Sequence, residues 1–200
     1  MMNTIVDNLD SFAEEFEGVE LQGARVKKAE FEECTFISCD FTETFFHSCK
    51  FIDCSFVNCN LSLVKLTDTK ISGSSFKSCK MIGIDWTMCN WTSLLSSEPI
   101  EFIECILNDS NFFGLTLERL VIKKSSAKDV DFRSGKFVKA DFSSSDFKGA
   151  WFGSTNLEYA NFTDTTNTQI DIRTNNLKGA IFSRYEALYL LESMGIVLVD

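Results

Sequence analysis

The chain has 200 residues, of which 44% are apolar and 24% are charged, and its formal charge at pH 7 is −10. This length fits one domain or two small ones, and the apolar content is sufficient for a hydrophobic core, which excludes a disordered chain. The negative charge disfavours direct binding to nucleic acid or to an anionic membrane surface. No apolar run approaches the ~20 residues of a membrane span, and residues 1–9 lack the basic start and apolar core of a signal peptide. We therefore expect a cytoplasmic protein.

A large apolar residue occupies every fifth position over most of the chain. The first series runs from Phe16 to Trp91, and the second runs from Phe102 to Phe182 with a polar exception at Asn167. All but three of the 20 Phe residues occupy these central positions. A period of five fits neither a helix nor a strand, so each unit must combine a short extended piece with a turn.

Four such units would close one square coil, with the central side chains directed inward. Successive coils would stack at about 4.8 Å, the spacing of paired strands, which predicts an all-β solenoid of about eight coils and about 38 Å in length. Residues 1–15 precede the repeat and are predicted to form an N-terminal segment or a cap, whereas residues 16–91 form the first part of the solenoid. The predicted structural core includes Phe36, Phe41, Phe51, Phe56, Phe132, Phe142 and Phe152.

The position two residues before each central residue favours small side chains. It holds all eight Cys residues, and the position between the two is frequently Asp or Asn. Cys39, Cys59 and Cys79 are spaced so that they stack along the solenoid. Parallel ladders of this kind do not converge on a zinc ion, and their neighbours are too far apart for a disulfide. We therefore predict buried reduced thiols, no metal site and no cofactor.

Two units carry a recognisable consensus. Ala140-Asp141-Phe142-Ser143-Ser144 and Ala160-Asn161-Phe162-Thr163-Asp164 follow the pattern Ala-(Asp/Asn)-(Leu/Phe)-x-x. The sequence from Phe16 to Phe182 thereby resembles the pentapeptide-repeat family. This resemblance implies a right-handed quadrilateral parallel β-helix, whereas the period alone predicts only a solenoid.

The two series are out of register by one residue. From Trp91 to Phe102 is eleven residues, two units plus one, and this segment carries the only proline. We predict a loop at residues 92–101 that absorbs the shift, followed by the second part of the β-helix at residues 102–182. A partner-binding loop and an inert insertion are equally compatible with the sequence. The candidate contact residues are Leu94, Leu95, Glu98, Pro99 and Glu101.

Residues 183–200 change character. Ser183 and Glu186 have the spacing of a capping box, so a short C-terminal helix should follow, and Gly195 is placed to end it. The run from Ile196 to Val199 has high strand propensity. Because an open solenoid end exposes unpaired backbone groups, this segment should cap the end or, as we prefer, pair with a second copy. The candidate dimerisation residues are Tyr185, Leu188, Leu191, Met194, Ile196 and Leu198.

The terminal region is also similar to a particular subgroup. The residues that carry this similarity to the Qnr-type proteins are Asp171, Ile172, Arg173, Leu177, Gly179, Tyr185, Ala187, Leu190, Leu191, Glu192, Met194, Gly195 and Ile196. The resemblance implies a protein that dimerises tail to tail, binds DNA gyrase and topoisomerase IV, and protects them from quinolones. Qnr proteins commonly carry two projecting loops, whereas this chain has one short interruption.

Enzymatic chemistry has little support in the sequence. The only histidine, His47, follows a central residue and should point to solvent, and no phosphate-binding loop or Ser-His-Asp arrangement can be assembled. We therefore expect a non-enzymatic protein. Phe45, Phe113 and Trp151 lie beside central positions and should face outward, where they would be candidate anchors for a partner.

The charge distribution leaves two hypotheses open. Residues 1–60 carry twelve acids and four bases, a net charge of −8, whereas the middle of the rod is locally basic. The leading hypothesis is a DNA mimic that occupies the basic groove of gyrase or topoisomerase IV, and the alternative is a scaffold solenoid with another protein partner. Ordinary solubility charge also explains the acidic end. The basic residues of the middle are Lys123, Lys124, Lys128, Arg133, Lys136 and Lys139.

Overall fold

The computed structural model describes residues 4–91, 99–197 and 199. Over these residues the chain winds into a parallel β-helix of about eight coils, which confirms the predicted right-handed quadrilateral fold with one short C-terminal helix. The helix, α1, has seven residues, and within the described residues no helix is long and apolar enough to cross a membrane.

Most of the described strands have three residues. In chain order they are β1 (Asp10–Phe12), β2 (Glu15–Glu17), β3 (Arg25–Lys27), β4 (Glu30–Glu32), β5 (Thr35–Ile37), β6 (Phe45–His47), β7 (Lys50–Ile52), β8 (Ser55–Val57), β9 (Lys65–Thr67), β10 (Lys70–Ser72), β11 (Ser75–Lys77), β12 (Glu101–Ile103), β13 (Val121–Lys123), β14 (Asn161–Phe162) and β15 (Ile181–Phe182), with a 3₁₀ turn at Trp86–Met88 and helix α1 at Glu186–Glu192.

The strands stack into the faces of the square coil. Face I begins with β1, β4, β7 and β10, and face II holds β2, β5, β8, β11, β12 and β13, then β14 and β15. Face IV begins with β3, β6 and β9. Face III has single bridges in place of strands, at Glu20, Asp40, Asn60, Lys80, Ile106, Ser126, Asp146 and Thr166.

The register shows where residues are added. Asp10 pairs with Glu30, and Glu30 pairs with Lys50, so one coil contains 20 residues. Across the interruption Ser75 pairs with Glu101, an offset of 26, so this coil contains six additional residues. The chain leaves face I after Trp91 and is back on face II at β12, which places the insertion at the corner between those two faces.

Stacked Phe rings fill the axis of the first coils. Along face II, the centroid distances are 5.0 Å from Phe16 to Phe36, 4.6 Å from Phe36 to Phe56 and 4.7 Å from Phe56 to Phe76. Rings on adjacent faces meet edge to face, as Phe36 and Phe51 do at 5.9 Å. Aromatic side chains favour both geometries. The predicted core residues that are buried are Phe36, Phe41, Phe51, Phe56, Phe132 and Phe142.

Phe152 differs from the other predicted core residues because it is only half-buried. Its ring stacks on Phe132 at 5.0 Å, but the coil on its other side departs from the repeat. In that coil Ile170 is buried, whereas Ile172, the residue that the five-residue period places in the core, is half-buried. The core therefore loosens towards its C-terminal end.

The small position two residues before each centre is also a hydrogen-bonding position. The thiol of Cys39 donates to the carbonyl of Phe16 at 3.4 Å, and the hydroxyl of Ser145 donates to the carbonyl of Ile122 at 2.9 Å. Both bonds reach back 23 residues, to the preceding coil. Cys, Ser and Thr therefore recur there because each combines a small volume with a donor.

The Asp or Asn before the centre caps the turn that follows. The carboxylate of Asp40, for example, accepts the backbone N–H of Thr42 at 2.8 Å, and Asp141 accepts that of Ser143 at 3.1 Å. This is the local bond of an Asx turn. The turn is completed by a residue with positive φ two positions after the centre, such as Glu43 at 56° or Leu63 at 59°.

The predicted capping box of the C-terminal helix is wrong. Tyr185 is the N-cap residue and makes no side-chain capping bond. The hydroxyl of Ser183 instead accepts the backbone N–H of Asp164 at 2.6 Å, and the carboxyl of Glu186 accepts a backbone bond from Thr168. Both side chains are thus used to attach the helix to the last coil. Beyond the helix, Ile196 and Val197 are not in a strand.

Candidate protein-interaction surfaces

The reactive side chains that the sequence offers are the Cys thiols and His47, and the described Cys residues are all buried. Burial raises the pKa of the Cys54 thiol to about 12, which keeps it protonated and unreactive at neutral pH. His47 is half-buried, and its ring stacks on Phe45 at 5.8 Å, so it does not simply point to solvent as predicted. Within the described ranges, no three His, Cys, Asp or Glu side chains are arranged to hold a metal ion.

The acidic residues of the first coils are distributed over three faces. Glu15 and Glu17 project from face II, Glu32 from face I and Glu20 from face III, and all four are exposed. Lys50 pairs with Glu30 at 2.7 Å, but none of these four acids has an ion pair in the part of the chain that the structure describes. The N-terminal end of the rod is therefore an anionic surface on several sides.

The basic residues of the middle coils are mostly neutralised by acids of a neighbouring residue or coil. The four ion pairs are Lys123–Asp141 at 3.7 Å, Lys124–Glu104 at 3.9 Å, Lys128–Asp146 at 3.2 Å and Arg133–Asp131 at 2.7 Å. Lys136 and Lys139 lie on face I without an ion pair among residues 4–91 and 99–197. The middle of the rod is thus closer to neutral than the run of basic residues in the sequence indicates.

The three predicted outward aromatics share face IV. Phe113 is 49% exposed and Trp151 is 56% exposed. Arg133 lies between them, with its guanidinium carbon 5.9 Å from the Phe113 centroid and 4.7 Å from the Trp151 centroid. Phe45 also lies on the outside of this face but is half-buried, because Arg25 lies over its ring at 5.8 Å and His47 stacks beside it. Aromatic and arginine side chains of this kind are frequent anchors of protein interfaces.

Sequence reasoning missed that these aromatics lie on one face, because the spacing between Trp91 and Phe102 does not show how many of the intervening residues are inserted. With the six inserted residues left out, Trp151 lies 100 residues beyond Phe45, and one coil contains 20 residues. The two residues therefore belong to one column, five coils apart. Phe113 belongs in the same way to the column of His47.

The predicted contact residues of the 92–101 segment are only partly described. Leu94, Leu95 and Glu98 lie outside the described residues. Pro99 is half-buried. Glu101 is the first residue of β12 and pairs with Val121 in the next coil, so it belongs to the β-helix and not to a loop.

The C-terminal helix exposes most of its predicted dimerisation residues. Tyr185 is 79% exposed, Met194 is 48% exposed, and Leu190 packs against the core from the opposite side. The other predicted residues in the described part are Leu188, Leu191 and Ile196, all exposed, whereas Leu198 lies outside it. An apolar surface of this kind at the end of a solenoid is typical of an interaction site.

A β-helix that stacks uniform coils and presents charged, aromatic and apolar side chains outward defines the class of solenoid interaction proteins. The chain belongs to the pentapeptide-repeat family. The family model for the pentapeptide repeat region matches residues 29–99, and the model for eight copies of the repeat matches residues 128–164.

The fold is of the Qnr type. It is similar to two trypsin-treated forms of QnrB1, described as a plasmid-mediated fluoroquinolone resistance protein. One form has 21% identity and a TM-score of 0.62 and covers 98% of this chain and 100% of its own. The other has 20% identity and a TM-score of 0.64 and covers 96% and 99%. No curated protein matches the sequence. At this identity the likeness establishes the fold, and function has to be argued from the surfaces.

Proposed function

We propose that this protein is a non-enzymatic DNA mimic that binds DNA gyrase, topoisomerase IV or both in the cytoplasm and protects them from quinolones or related poisons. The observation that carries the proposal is the slender Qnr-type β-helix with an anionic surface on three faces of its first coils. A basic groove that holds duplex DNA selects for width and negative charge, not for base edges. The similarity to QnrB1 supports a role in quinolone resistance.

The position of the acids specifies how such a mimic would bind. In our proposal, two chains pair tail to tail through the exposed apolar residues of α1. At about 4.8 Å per coil, the pair would form a rod roughly 76 Å long. The unpaired acids, such as Glu32 and Glu33, would then lie at its two outer ends, and the ion-paired coils would lie near its centre. The enzyme would therefore be contacted mainly at the ends.

A scaffold role with a different protein partner is the second candidate. It is favoured by face IV, where Phe113, Arg133 and Trp151 form an aromatic surface that has no counterpart on a DNA duplex. In this case the terminal helix would serve only for dimerisation. The two candidates differ in which residues a binding assay should detect.

A supercoiling assay with gyrase, with and without ciprofloxacin, separates the two candidates. The variant Glu15→Gln/Glu32→Gln/Glu33→Gln removes three exposed N-terminal charges, and we expect it to reduce protection about tenfold or more. The matched control, Asp109→Asn/Glu118→Gln/Asp129→Asn, removes three exposed charges from the middle coils and should protect like the original chain. Equal protection by both variants contradicts DNA mimicry by the acidic end. No binding and no rescue by the original chain favours the scaffold.

Deletion of residues 183–200 tests the proposed dimer. We expect the truncated protein to be a monomer by analytical ultracentrifugation and to lose protection. A matched control is Tyr159→Asn, which removes an exposed aromatic side chain from the body of the rod. A truncated monomer that still protects gyrase contradicts the role of the tail.

A further inference from the structure

A surface groove of about 480 Å³ lies at the corner between faces III and IV. It forms where the ladder of β3, β6 and β9 gives way to the 3₁₀ turn Trp86–Met88, which carries Met88 outward. Gly83 leaves room for the Leu63 side chain, since a Cβ at this glycine would lie 2.7 Å from Leu63 Cδ2. The corner is diagonally opposite the one that holds the six-residue insertion, and it is distant in sequence from α1.

The lining of the groove combines an exposed apolar pair with a mainly acidic rim. Leu63 and Met88 are each 49% exposed. The charged lining residues are Glu43, Lys65 and Asp85, two carboxylates and one ammonium. Among the described residues, neither Glu43 nor Lys65 forms an ion pair, so both charges are available to a partner.

The residue type at Leu63 is a second sign of a functional position, because the repeat imposes a positive φ there and a large apolar side chain is unusual at it. Leu63 has a φ of 59°, a left-handed conformation that is unfavourable for a bulky side chain. Most other residues at this position of the repeat are polar or glycine, as at Glu33, Glu43 and Gly83. A leucine that is both strained and exposed lowers stability and solubility. Such a residue points to a binding function.

We propose that this groove binds a segment of a partner protein that inserts an aliphatic side chain between Leu63 and Met88 and places an adjacent Lys or Arg against Glu43 and Asp85. Complementary charge selects a basic neighbour, because carboxylates outnumber the ammonium of Lys65.

This proposal goes beyond the proposed topoisomerase function and does not depend on it. The groove lies on a different side of the rod from Glu15 and Glu32, so loss of one surface leaves the other in place. The groove can accordingly be tested with peptides alone.

The experiment is a methyl NMR titration of the full chain with two acetylated and amidated hexapeptides, Ala-Ala-Leu-Arg-Ala-Ala and Ala-Ala-Leu-Glu-Ala-Ala. We expect saturable shifts of the Leu63 and Met88 methyl signals with the arginine peptide and about fivefold weaker binding of the glutamate peptide. No shift of these signals with either peptide, or equal binding of the two, overturns the proposal.

Two variant pairs localise the binding. Glu43→Lys should weaken the arginine peptide about fivefold, whereas Glu33→Lys, the same change at the same position of the repeat on face I, should leave it unchanged. Leu63→Asn should remove binding, whereas Tyr159→Asn, at an identical φ of 59°, should not. Circular dichroism establishes that each variant is folded. Equal losses in a variant and its control contradict the assignment to the groove.

Discussion

The coils before the insertion and those after it use the same repeat with different side chains. Strands β1 to β11 all lie before residue 78, whereas only β12 to β15 lie after residue 100. The later coils are held mainly by single bridges, as between Asn111 and Asp131 or between Asp131 and Trp151. Phe rings stack in both parts, as Phe36 does on Phe56 and Phe132 on Phe152, but the small position is most often Cys in the earlier coils and most often Ala or Ser in the later ones.

This difference follows from the residue that precedes the centre. Asp and Asn are frequent there in the later coils, and their side chains bond the N–H two residues on, which favours a turn over an extended strand. Lys, Glu, Ser and Thr are more frequent in the earlier coils, where strands form. Each coil is hydrogen-bonded to its neighbours, so the residues of one face share a conformation. Lys80, for example, forms single bridges to Asn60 and Ile106 and does not lie in a strand.

The largest effect should come from a charge in the aromatic stack of the earlier coils. Phe51→Asp places an unpaired carboxylate among Phe31, Phe46 and Phe56, and we expect a loss of about 5 kcal/mol in the free energy of unfolding. Urea unfolding followed by circular dichroism measures this loss. Phe113→Asp, on the exposed face IV, should cost less than about 1 kcal/mol. A soluble Phe51→Asp protein of normal stability contradicts the inward orientation of the central residues.

An intermediate effect should distinguish thiol from hydroxyl donors in the two halves. Ser145→Ala leaves the buried carbonyl of Ile122 without its hydroxyl partner, so we expect a cost of about 1–2 kcal/mol. Cys59→Ala removes a weaker S–H donor to the carbonyl of Phe36, and its cost should come mainly from lost packing. The double variants Ser145→Ala/Ser125→Ala and Cys59→Ala/Cys79→Ala should show the same distinction: the Ser pair loses hydrogen bonds, and the Cys pair loses mainly packing. Equal amide hydrogen–deuterium exchange of the two variants, each measured in the coil that contains the acceptor carbonyl, Ile122 or Phe36, would show that the two donors are equivalent.

A smaller effect is expected from the turn-capping carboxylates. Asp141→Ala removes the bond to the N–H of Ser143 and the partner of Lys123, at a cost of about 1 kcal/mol. The equivalent change Ser55→Ala, in an earlier coil where a strand forms without such a cap, should be near neutral. Urea midpoints of the two variants provide the comparison. A larger cost at Ser55 is incompatible with the proposed difference between the coils.

The sequence predicts those features that depend on the repeat alone. The inward direction of Phe36 and Phe142 follows from the period of five, since each centre meets the same environment in every coil. Features that depend on contacts between distant segments escape such reasoning. The capping box failed because Asp164 and Thr168 bind Ser183 and Glu186, and Ile172 is only half-buried because the last coil is irregular. The single aromatic face required the length of the insertion, which the structure supplies as six residues.

The smallest effect should be a pH dependence of opposite sign at two carboxyls of the C-terminal region. Hydrogen bonds from Arg173 lower the pKa of Asp171 to about 2, so its contribution to stability is present above its usual pKa and is lost as the pH falls towards 2. Burial raises the pKa of Glu186, so ionisation of this residue weakens the attachment of α1 as the pH rises through the raised pKa. We therefore expect amide exchange in α1 to be slower at pH 4, below the ordinary pKa of a glutamate, than at pH 7, and Glu186→Gln to remove this difference. Asp171→Asn should leave it intact, because Asp171 is ionised at both pH values. A helix whose exchange, corrected for intrinsic rates, is equally slow at both would show that Glu186 does not control its attachment.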